Sequence, residues 1–426
     1  MTERIIWNCR QVVTLAGPPG PRTGPAMREL ALIPDGALLT RGHSIQAVGT
    51  LHEIEAMCSA STEAVDAGGR IVLPGFVDAH THPVFAGMRA GEFEQRAEGL
   101  TYTEIAAHGG GILSTVRQTV AACQPALLQS ARRYRTWFLR GGTTTIEAKS
   151  GYGLSLEAEL KILRVIQQLD QDDCVRYVAT FLAHGIPDEF RATPDAYVDC
   201  LIDEMLPRIR QERLAEYCDV FCDPSVFPLE KSRLILQAAR RLGFGIRMHA
   251  DQFRCDGGAR LAADLGAATA DHLEYTDSDG LEALHSASVQ PVLLPASVYS
   301  LGSQHYPAAR QMIDLGLAVV LATDFNPGTS PTTSIPMVLS LACTQMHLTP
   351  AEAITAATIN AACSLGRGDQ IGSLEPGKSA DFVIHDCDDY RELAYFFGRD
   401  PAHAVYLGGT CVYGQAVSDQ PSGISS

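Results

Sequence analysis

The stretch LPGFVDAHTH, from Leu73 to His82, is an apolar run of the kind that fills a buried strand, and it ends in two histidines separated by one residue. Side chains alternate across a strand, so residues i and i+2 point the same way. The imidazoles of His80 and His82 therefore face one point. A lone His-x-His pair is also common among surface and core histidines, so a metal site requires two further ligands from elsewhere in the chain.

The composition is that of an ordinary globular protein, with 426 residues, 46% hydrophobic and 19% charged. This length is enough for one large α/β domain and a smaller one. The sequence shows no secretion-signal pattern and no apolar run near the roughly 20 residues of a membrane span, so we expect a cytoplasmic protein. The twelve cysteines follow no paired spacing, which favours reduced thiols.

The formal net charge of -16, without any run of lysine or arginine, argues against two classes of partner. Nucleic acids and anionic membranes both require a basic patch, so we expect neither as a partner. If the substrate is an anion, the attraction must come from individual basic residues beside the site. Any arginine or lysine near the predicted site is therefore a candidate substrate contact.

Both ends of the chain carry short β-type runs separated by turn residues, such as IIWNCRQVVTLA near the start and AVYLGGTCVYGQAV near the end. We expect residues 1–67 and 366–426 to build one small β-sandwich domain together. A loop rich in proline and glycine, GPPGPRTGPA, interrupts the first of these segments and is assigned to the same small domain.

Between the two ends, from residue 68 to residue 365, apolar runs alternate with amphipathic helical patterns. Eight runs are strand candidates: RIVLPGFVDAH, GGTTTIEAKS, VRYVATFLAH, EYCDVFCD, GFGIRMHA, AATADHLE, SVQPVLLPA and LAVVLATD. Eight buried strands, most of them followed by a helix, favour an α/β fold of the (β/α)₈ barrel type over an open sheet.

The active site of such a barrel lies at the C-terminal ends of its strands. Histidines stand at the ends of the first, third, fifth and sixth candidate strands, namely His80 with His82, His184, His249 and His272, and Asp324 ends the eighth. Three imidazoles and one carboxylate, from His80, His82, His249 and Asp324, suit a catalytic divalent or trivalent ion with an open position for water. Zinc and iron both fit this ligand set.

Several longer motifs occur in order along the chain: GFVDAHTHP, TYTEIAAHGGGILSTVR, IEAKSGYGL, HADQ, DHLEY, ATDFNPGTSP and GKSADFVIHD. Through them the chain resembles the amidohydrolase superfamily over nearly its whole length, and within it the imidazolonepropionase family. The resemblance implies hydrolysis of the cyclic amide of 4-imidazolone-5-propanoate to N-formimidoyl-L-glutamate, a step of L-histidine degradation.

The resemblance also implies roles for individual residues. Asp324 would ligate the metal and accept a proton, while His272 would orient the water or stabilise the oxyanion and assist proton transfer. The sequence leaves open which of the two moves the proton. Arg89 would hold the substrate carboxylate in a bidentate contact. The remaining implied substrate contacts are Tyr102, Tyr152, His184, Gln252, Asn326, Gly328 and Thr329. The segment before His184 is one residue shorter than the family pattern, which leaves its reach open.

Two-metal members of the superfamily often bridge their metals through a carboxylated lysine on the fourth strand. Here Lys149 stands on the second candidate strand instead. We therefore expect one metal ion per subunit and expect Lys149 to pair with Glu147 or another nearby acid. The family resemblance further suggests a homodimer.

Two alternatives remain. A deaminase of the same superfamily, acting on a cyclic amidine such as cytosine or guanine, typically carries a glutamate three residues after the fifth-strand ligand. This chain has Gln252 at that position, and an amide cannot shuttle protons. A noncatalytic barrel that serves as a scaffold would lack one or more ligands, whereas all four candidate ligands are present.

Overall fold

Three β-sheets organise the chain in the computed structural model, which describes residues 2–100, 104–105, 109–172 and 174–414. The strands, in chain order, are β1 (Glu3–Trp7), β2 (Gln11–Val13), β3 (Leu32–Pro34), β4 (Gly36–Arg41), β5 (Ser44–Thr50), β6 (Glu63–Asp66), β7 (Ile71–Pro74), β8 (Phe76–Thr81), β9 (Thr143–Lys149), β10 (Arg176–Ala183), β11 (Tyr217–Phe221), β12 (Gly245–Ala250), β13 (Thr269–His272), β14 (Gln290–Leu293), β15 (Val320–Leu321), β16 (Phe382–His385), β17 (Ala402–Leu407) and β18 (Thr410–Gly414).

Helices follow most of the strands. They are α1 (Leu51–Glu55), α2 (Ala90–Ala97), α3 (Ile112–Ala121), α4 (Gln124–Gly141), α5 (Leu156–Asp170), α6 (Pro194–Cys200), α7 (Leu206–Glu212), α8 (Leu229–Arg241), α9 (Gly258–Asp264), α10 (Ser278–Ser286), α11 (Pro295–Ser300), α12 (Ala309–Leu315), α13 (Ile335–Met346), α14 (Pro350–Ala356), α15 (Ile359–Ser364) and α16 (Glu392–Tyr395). None of the helices in the described part of the chain combines the length and apolar character that a membrane crossing requires.

The eight strands β8 to β15 form one parallel sheet in sequence order. The sheet curls until its two edges meet, where the backbone N–H of Asp324 donates to the carbonyl of His80 at 3.0 Å and that of His82 donates to Phe325 at 2.8 Å. The predicted (β/α)₈ barrel is therefore confirmed, and each of the eight strand candidates contributes a strand to the barrel wall. The strands of the barrel are shielded from solvent, and in β9 every residue is buried.

The amphipathic patterns predicted from the sequence form helices whose apolar residues lie on the face that packs against the barrel. In α5, Leu160, Leu163 and Ile166 are fully or almost fully buried and belong to the main hydrophobic core. Burial of such side chains contributes about 1.5–3 kcal/mol each relative to exposure. The outer helices thus shield the barrel wall from water and hold its strand ends in place.

The two ends of the chain supply the other two sheets. One has the order β5-β4-β1-β6, and the other has the order β18-β17-β16-β7-β2-β3. A second hydrophobic core lies between them, to which Ile6 and Leu38 contribute from the first sheet and Val72, Phe382 and Tyr406 from the second. Two sheets that share one core are the β-sandwich expected from the sequence.

The stretch from Leu73 to His82 is not one strand. Ile71–Pro74 pairs with β16 in the small sandwich, and only Phe76–Thr81 enters the barrel. Gly75 separates them, and a Cβ atom at this position would lie 2.1 Å from Oγ1 of Thr144. The chain can pass from one sheet to the other here because glycine has no side chain. The Pro74-Gly75 pair, a common turn signal, marks this break in the sequence, although the apolar run was interpreted as one strand.

The loop rich in proline and glycine, assigned above to the small domain, packs on the barrel instead. Arg22 is buried, and its backbone N–H donates to Oδ1 of Asn360 at 2.7 Å. The amide of Asn360 donates in turn to the carbonyl of Val319, just before β15. The loop therefore covers the N-terminal end of this strand, away from the carboxyl ends where the candidate site lies.

Candidate active site

Five side chains from four barrel strands meet at the carboxyl end of the barrel. His80 lies on β8 and His82 directly follows it, His249 lies on β12, His272 is the last residue of β13, and Asp324 comes after β15. All five are buried. The alternation across β8 places both of its histidines on the same side, as the spacing predicted.

The nitrogen and oxygen atoms of this cluster fit a metal ion. Nε2 of His82 lies 3.3 Å and Nε2 of His80 lies 3.6 Å from Oδ1 of Asp324. The ligand atoms of His80, His82 and Asp324 are all within 4.8 Å of one another, and so are those of His80, His249 and His272. Nε2 of His80 and of His249 have no hydrogen-bond partner among the described residues. Converging, unpartnered imidazole nitrogens are what a metal ion requires, so this cluster can bind one.

Two aspartates behind the cluster orient its histidines. Nδ1 of His80 lies 2.6 Å from Oδ2 of Asp271, and Nδ1 of His249 lies 3.0 Å from Oδ2 of Asp219. The hydrogen bond from Nδ1 of His80 to Asp271 leaves Nε2 as the ligand atom. Asp219 contacts the His249 ring and accepts from the backbone N–H of His249 at 3.2 Å. Neither aspartate was predicted from the sequence. Their only signal was an acidic residue within an apolar strand, in YCDVF and TADH.

Two residues of the cluster also have an unusual backbone conformation. His272 has a φ of 79° and Asp324 a φ of 55°, both in the left-handed region that non-glycine residues rarely adopt. Asp78 holds the segment before Asp324, since its carboxylate accepts from the backbone N–H of Thr323 at 2.9 Å and from its hydroxyl at 2.6 Å. Such backbone conformations concentrate at functional sites where the surrounding structure fixes them.

The pKa values of Asp324 and His272 are shifted in opposite directions. Burial raises the pKa of Asp324, but the hydrogen bond to His82 and the nearby histidines outweigh it, so the pKa lies below its ordinary value. Burial lowers the pKa of His272, but Glu274, whose Oε1 lies 3.3 Å from Nδ1, raises it above its ordinary value. Asp324 is therefore suited to accept a proton and His272 to donate one. Glu274 was also missed in the sequence.

A cavity of 730 Å³ opens over the cluster. Its lining includes ten of the residues singled out from the sequence, namely His82, Arg89, Tyr152, His184, His249, Gln252, His272, Asp324, Asn326 and Thr329. His80 lies behind this lining, Gly328 is not part of it, and Tyr102 lies outside the described residues. His184 reaches the cavity despite the shorter segment before it, and its ring centre lies 5.5 Å from that of His82.

Arg89 brings a largely buried guanidinium to the cavity, with a side chain that is 8% exposed. Its Nε donates to Oε2 of Glu92, and Nη2 lies 2.7 Å from the same oxygen. The guanidinium also packs on Gly328, where a Cβ atom would lie 2.0 Å from Nη1. Gly328 thus makes room for the arginine. The planar guanidinium of Arg89, with its fork of N–H donors, is the kind of group that binds a carboxylate.

Tyr152 and His184 form another part of the cavity wall, with ring centres 5.4 Å apart. The loop that carries Tyr152 is bound by the carboxylate of Glu159 on α5, which accepts from the backbone N–H groups of Gly151, Gly153 and Leu154 at 2.6–2.8 Å. Glu159 is only 1% exposed. It fixes the position of Tyr152 without lining the cavity itself.

Asn326 and Thr329 lie on the loop after β15. The Asn326 amide donates to the carbonyl of Asp324 at 2.6 Å and to Oγ1 of Thr329 at 2.9 Å. Its oxygen accepts from the backbone N–H groups of Gly328 and Thr329. Both residues line the cavity, and their side chains also hold the loop in shape behind Asp324.

Comparison with known sequences identifies the family to which this chain belongs. The model of the amidohydrolase family matches residues 71–412. An imidazolonepropionase of Solibacter usitatus is 68% identical over 97% of this chain and 99% of its own length. One of Chloroflexus aggregans is 45% identical over 96% of this chain and 98% of its own length. The chain belongs to the imidazolonepropionases of the amidohydrolase family.

Solved structures share the fold of this imidazolonepropionase family member. An adenosine deaminase of Xanthomonas campestris with bound zinc aligns with a TM-score of 0.73 at 18% identity, over 96% of this chain and 92% of its own. The guanine deaminase of E. coli aligns with a TM-score of 0.71 at 18% identity, over 97% of this chain and the whole of its own. At this identity the likeness concerns the fold alone.

Proposed function

We propose that this imidazolonepropionase family member hydrolyses the ring amide of 4-imidazolone-5-propanoate and releases N-formimidoyl-L-glutamate. One observation carries the proposal: the buried guanidinium of Arg89 faces the same cavity as the histidine and aspartate cluster. A cation for the propanoate and a hydrolytic centre for the ring are what this substrate requires. The chemistry balances, because one water is added while the bond between the ring carbonyl carbon and its amide nitrogen breaks.

His80, His82, His249 and Asp324 are the proposed ligands of one metal ion per subunit, zinc or iron. When bound, the ion supplies Lewis acidity, which polarises the ring carbonyl and lowers the pKa of a water molecule. His272 lies close enough to His80 and His249 to share their ligand space. We assign it to proton transfer because Glu274 lies 3.3 Å from its Nδ1 and its ring lines the cavity.

In this proposal Asp324 accepts the proton of the attacking water, for which its ionised state is required. His272, held through Nδ1 by Glu274, donates a hydrogen bond to the oxygen of the ring carbonyl as negative charge develops there. It then supplies the proton that the leaving ring nitrogen needs. Gln252 stands at the cavity wall and can bond the ring through its amide, but it cannot carry a proton.

The remaining lining residues serve binding. Arg89 holds the propanoate, Tyr152 and His184 contact the substrate or product from the facing wall, and Asn326 and Thr329 do so from the loop after Asp324. Gly328 contributes by leaving space for Arg89. Tyr102 retains its proposed role as a hydroxyl donor, from the resemblance alone.

The enzyme is proposed to act as a homodimer in the cytoplasm on this small anionic substrate, without nucleic acid or membrane partners. Its net charge of -16 supports the last point, because both partners are anionic.

The proposed function is tested by comparing substrates on the purified, metal-loaded enzyme. We expect turnover of 4-imidazolone-5-propanoate and none of cytosine or guanine. The ring without its propanoate should be a poor substrate because Arg89 then has no carboxylate to bind. Deamination of cytosine or guanine in the absence of ring opening would favour the deaminase alternative, and a metal-loaded protein inactive on all three would favour the scaffold alternative.

A further inference from the structure

A group of five charged side chains lies inside the barrel, directly beneath the histidine cluster. Its members are Glu147, Lys149, Asp219, Arg247 and Asp271, and each of them has a relative exposure of 0%. Three carboxylates and two cations give this group a formal charge of −1. Buried charges are costly unless they are paired, so an arrangement of this size must serve the structure or the site.

Lys149 is the centre of the group. Its Nζ donates to Oδ2 of Asp219 at 2.7 Å and to Oε1 of Glu147 at 3.0 Å, and it lies 3.6 Å from Oδ2 of Asp271. Arg247 lies farther from the carboxylates, with its nearest atoms 3.8 Å from Glu147 and from Asp271. Its guanidinium donates mainly to backbone carbonyls, those of Ala79 and Ser364. Lys149 therefore pairs mainly with carboxylates, whereas Arg247 mainly binds backbone carbonyls.

Two of the carboxylates around Lys149 also contact histidines of the cluster. Asp219 lies 3.0 Å from Nδ1 of His249 and Asp271 lies 2.6 Å from Nδ1 of His80. One ammonium group thus stands between the supports of two imidazoles that come from different strands. Glu147, the third carboxylate, has no hydrogen bond to a histidine in the described part of the structure.

We propose that Lys149 is a positioning residue for the metal site: its ammonium holds two carboxylates, and each carboxylate orients one histidine ligand. This role rests on the proposed function, since it presumes that the cluster binds a metal. A side chain on β9 would thereby set the spacing between ligands on β8 and β12. Carboxylates that support ligand histidines commonly change metal affinity by about 10- to 100-fold when they are altered.

Zinc affinity, measured by competition with a chelator, tests the proposal without depending on activity. We expect Lys149→Met to weaken zinc binding by about 10- to 100-fold, because both supporting carboxylates lose their common partner. Glu147→Gln is the matched control. It removes a buried charge that contacts the same ammonium but no histidine, so zinc affinity should remain within about threefold of the wild type by the same reasoning.

The double variant Lys149→Met/Glu147→Gln separates positioning from charge balance. It keeps the formal charge of the group at −1, which favours folding, but it still lacks the ammonium. We expect it to bind zinc as weakly as Lys149→Met does. Wild-type affinity in the double variant, or in a folded Lys149→Met protein, would overturn the positioning role. A wild-type enzyme that is fully active without bound metal would instead overturn the proposed function.

Discussion

Nε2 of His82 lies 3.3 Å from Oδ1 of Asp324, although 242 positions separate them in the sequence. The contact joins the two edges of the barrel sheet, because His82 directly follows β8 and Asp324 follows β15. Backbone hydrogen bonds hold the same pair of segments together on both sides of this contact. Barrel closure therefore brings the proposed ligands together, and we expect a change at one of them to affect metal binding more than folding.

His249→Ala should remove metal and activity together. Three imidazoles and one carboxylate are proposed to hold one ion, so loss of one ligand leaves too few to retain it. Metal analysis should give about one ion per wild-type chain and much less in the variant, with no measurable hydrolysis. Circular dichroism should show that the variant is folded. Full activity in a metal-free preparation would contradict the metal site.

Arg89→Met should weaken substrate binding by about 2–4 kcal/mol while metal content stays normal, because a desolvated charge pair is lost. Arg89→Lys should be intermediate, since lysine keeps the charge but not the planar fork. Gly328→Ala tests the same role without changing Arg89 itself, because the new Cβ would displace the guanidinium. All three should raise KM more than they lower kcat. A wild-type KM in Arg89→Met would mean that another group binds the propanoate.

The convergence of the proposed ligands could be predicted from the sequence because the position of each depends on a local rule. His80 and His82 share a side through strand alternation, and His249 and Asp324 stand where later strands end. A barrel brings all such ends to one face, so position in the chain was sufficient. The proposed substrate contacts were not predicted in this way, and they depended on the resemblance to a family.

The supporting groups could not be predicted, because they depend on distances across the barrel. Asp219 and Asp271 are single acidic residues within apolar strands, and nothing local shows which histidine each one meets. Lys149 was expected to pair with Glu147 or another acid, and it contacts both Glu147 and Asp219. The break at Gly75 had a local signal in the Pro74-Gly75 pair, but the apolar residues on either side of it look the same in either sheet.

Glu159→Gln should impair substrate binding from outside the cavity. Its carboxylate accepts three backbone N–H groups of the loop that carries Tyr152, and an amide NH₂ in place of one oxygen would face a donor. Loss of one such buried bond costs about 1–3 kcal/mol of unfolding free energy. KM should rise while metal content is unchanged. Glu157→Gln, on the exposed side of the same helix, is the control and should change neither quantity.

Burial of His385 should make the folded protein less stable in mild acid than at neutral pH. Burial, together with repulsion from Arg399, lowers its pKa to about 3. The unfolded chain takes up this proton below about pH 6.5 but the folded chain does not, so stability falls as the pH drops from 6.5 towards 3. Between pH 7 and pH 5 this costs about 2 kcal/mol. Denaturation of His385→Leu at both pH values should show a correspondingly smaller drop, whereas the exposed-histidine control His52→Gln should behave like the wild type.

The identity of the group that moves the proton can be decided by comparing turnover at saturating substrate in two variants. Gln252→Ala should lose mainly ring binding, about 1–3 kcal/mol for an unmade buried hydrogen bond, and should keep a measurable rate. His272→Ala should lower turnover by about 10²- to 10⁴-fold, the usual range for loss of a general acid or base. Since His272 lies within ligand distance of His80, metal content must be measured in the same samples.

Glu274→Gln makes the same test through the pH profile. Glu274 raises the pKa of His272, so its neutralisation should lower that pKa. If His272 acts in its protonated form, the alkaline limb of the kcat profile should then move to lower pH while metal content stays unchanged. An unshifted limb, near-normal turnover in a metal-loaded His272→Ala enzyme, or an equal loss in Gln252→Ala would each contradict the assignment of proton transfer to His272.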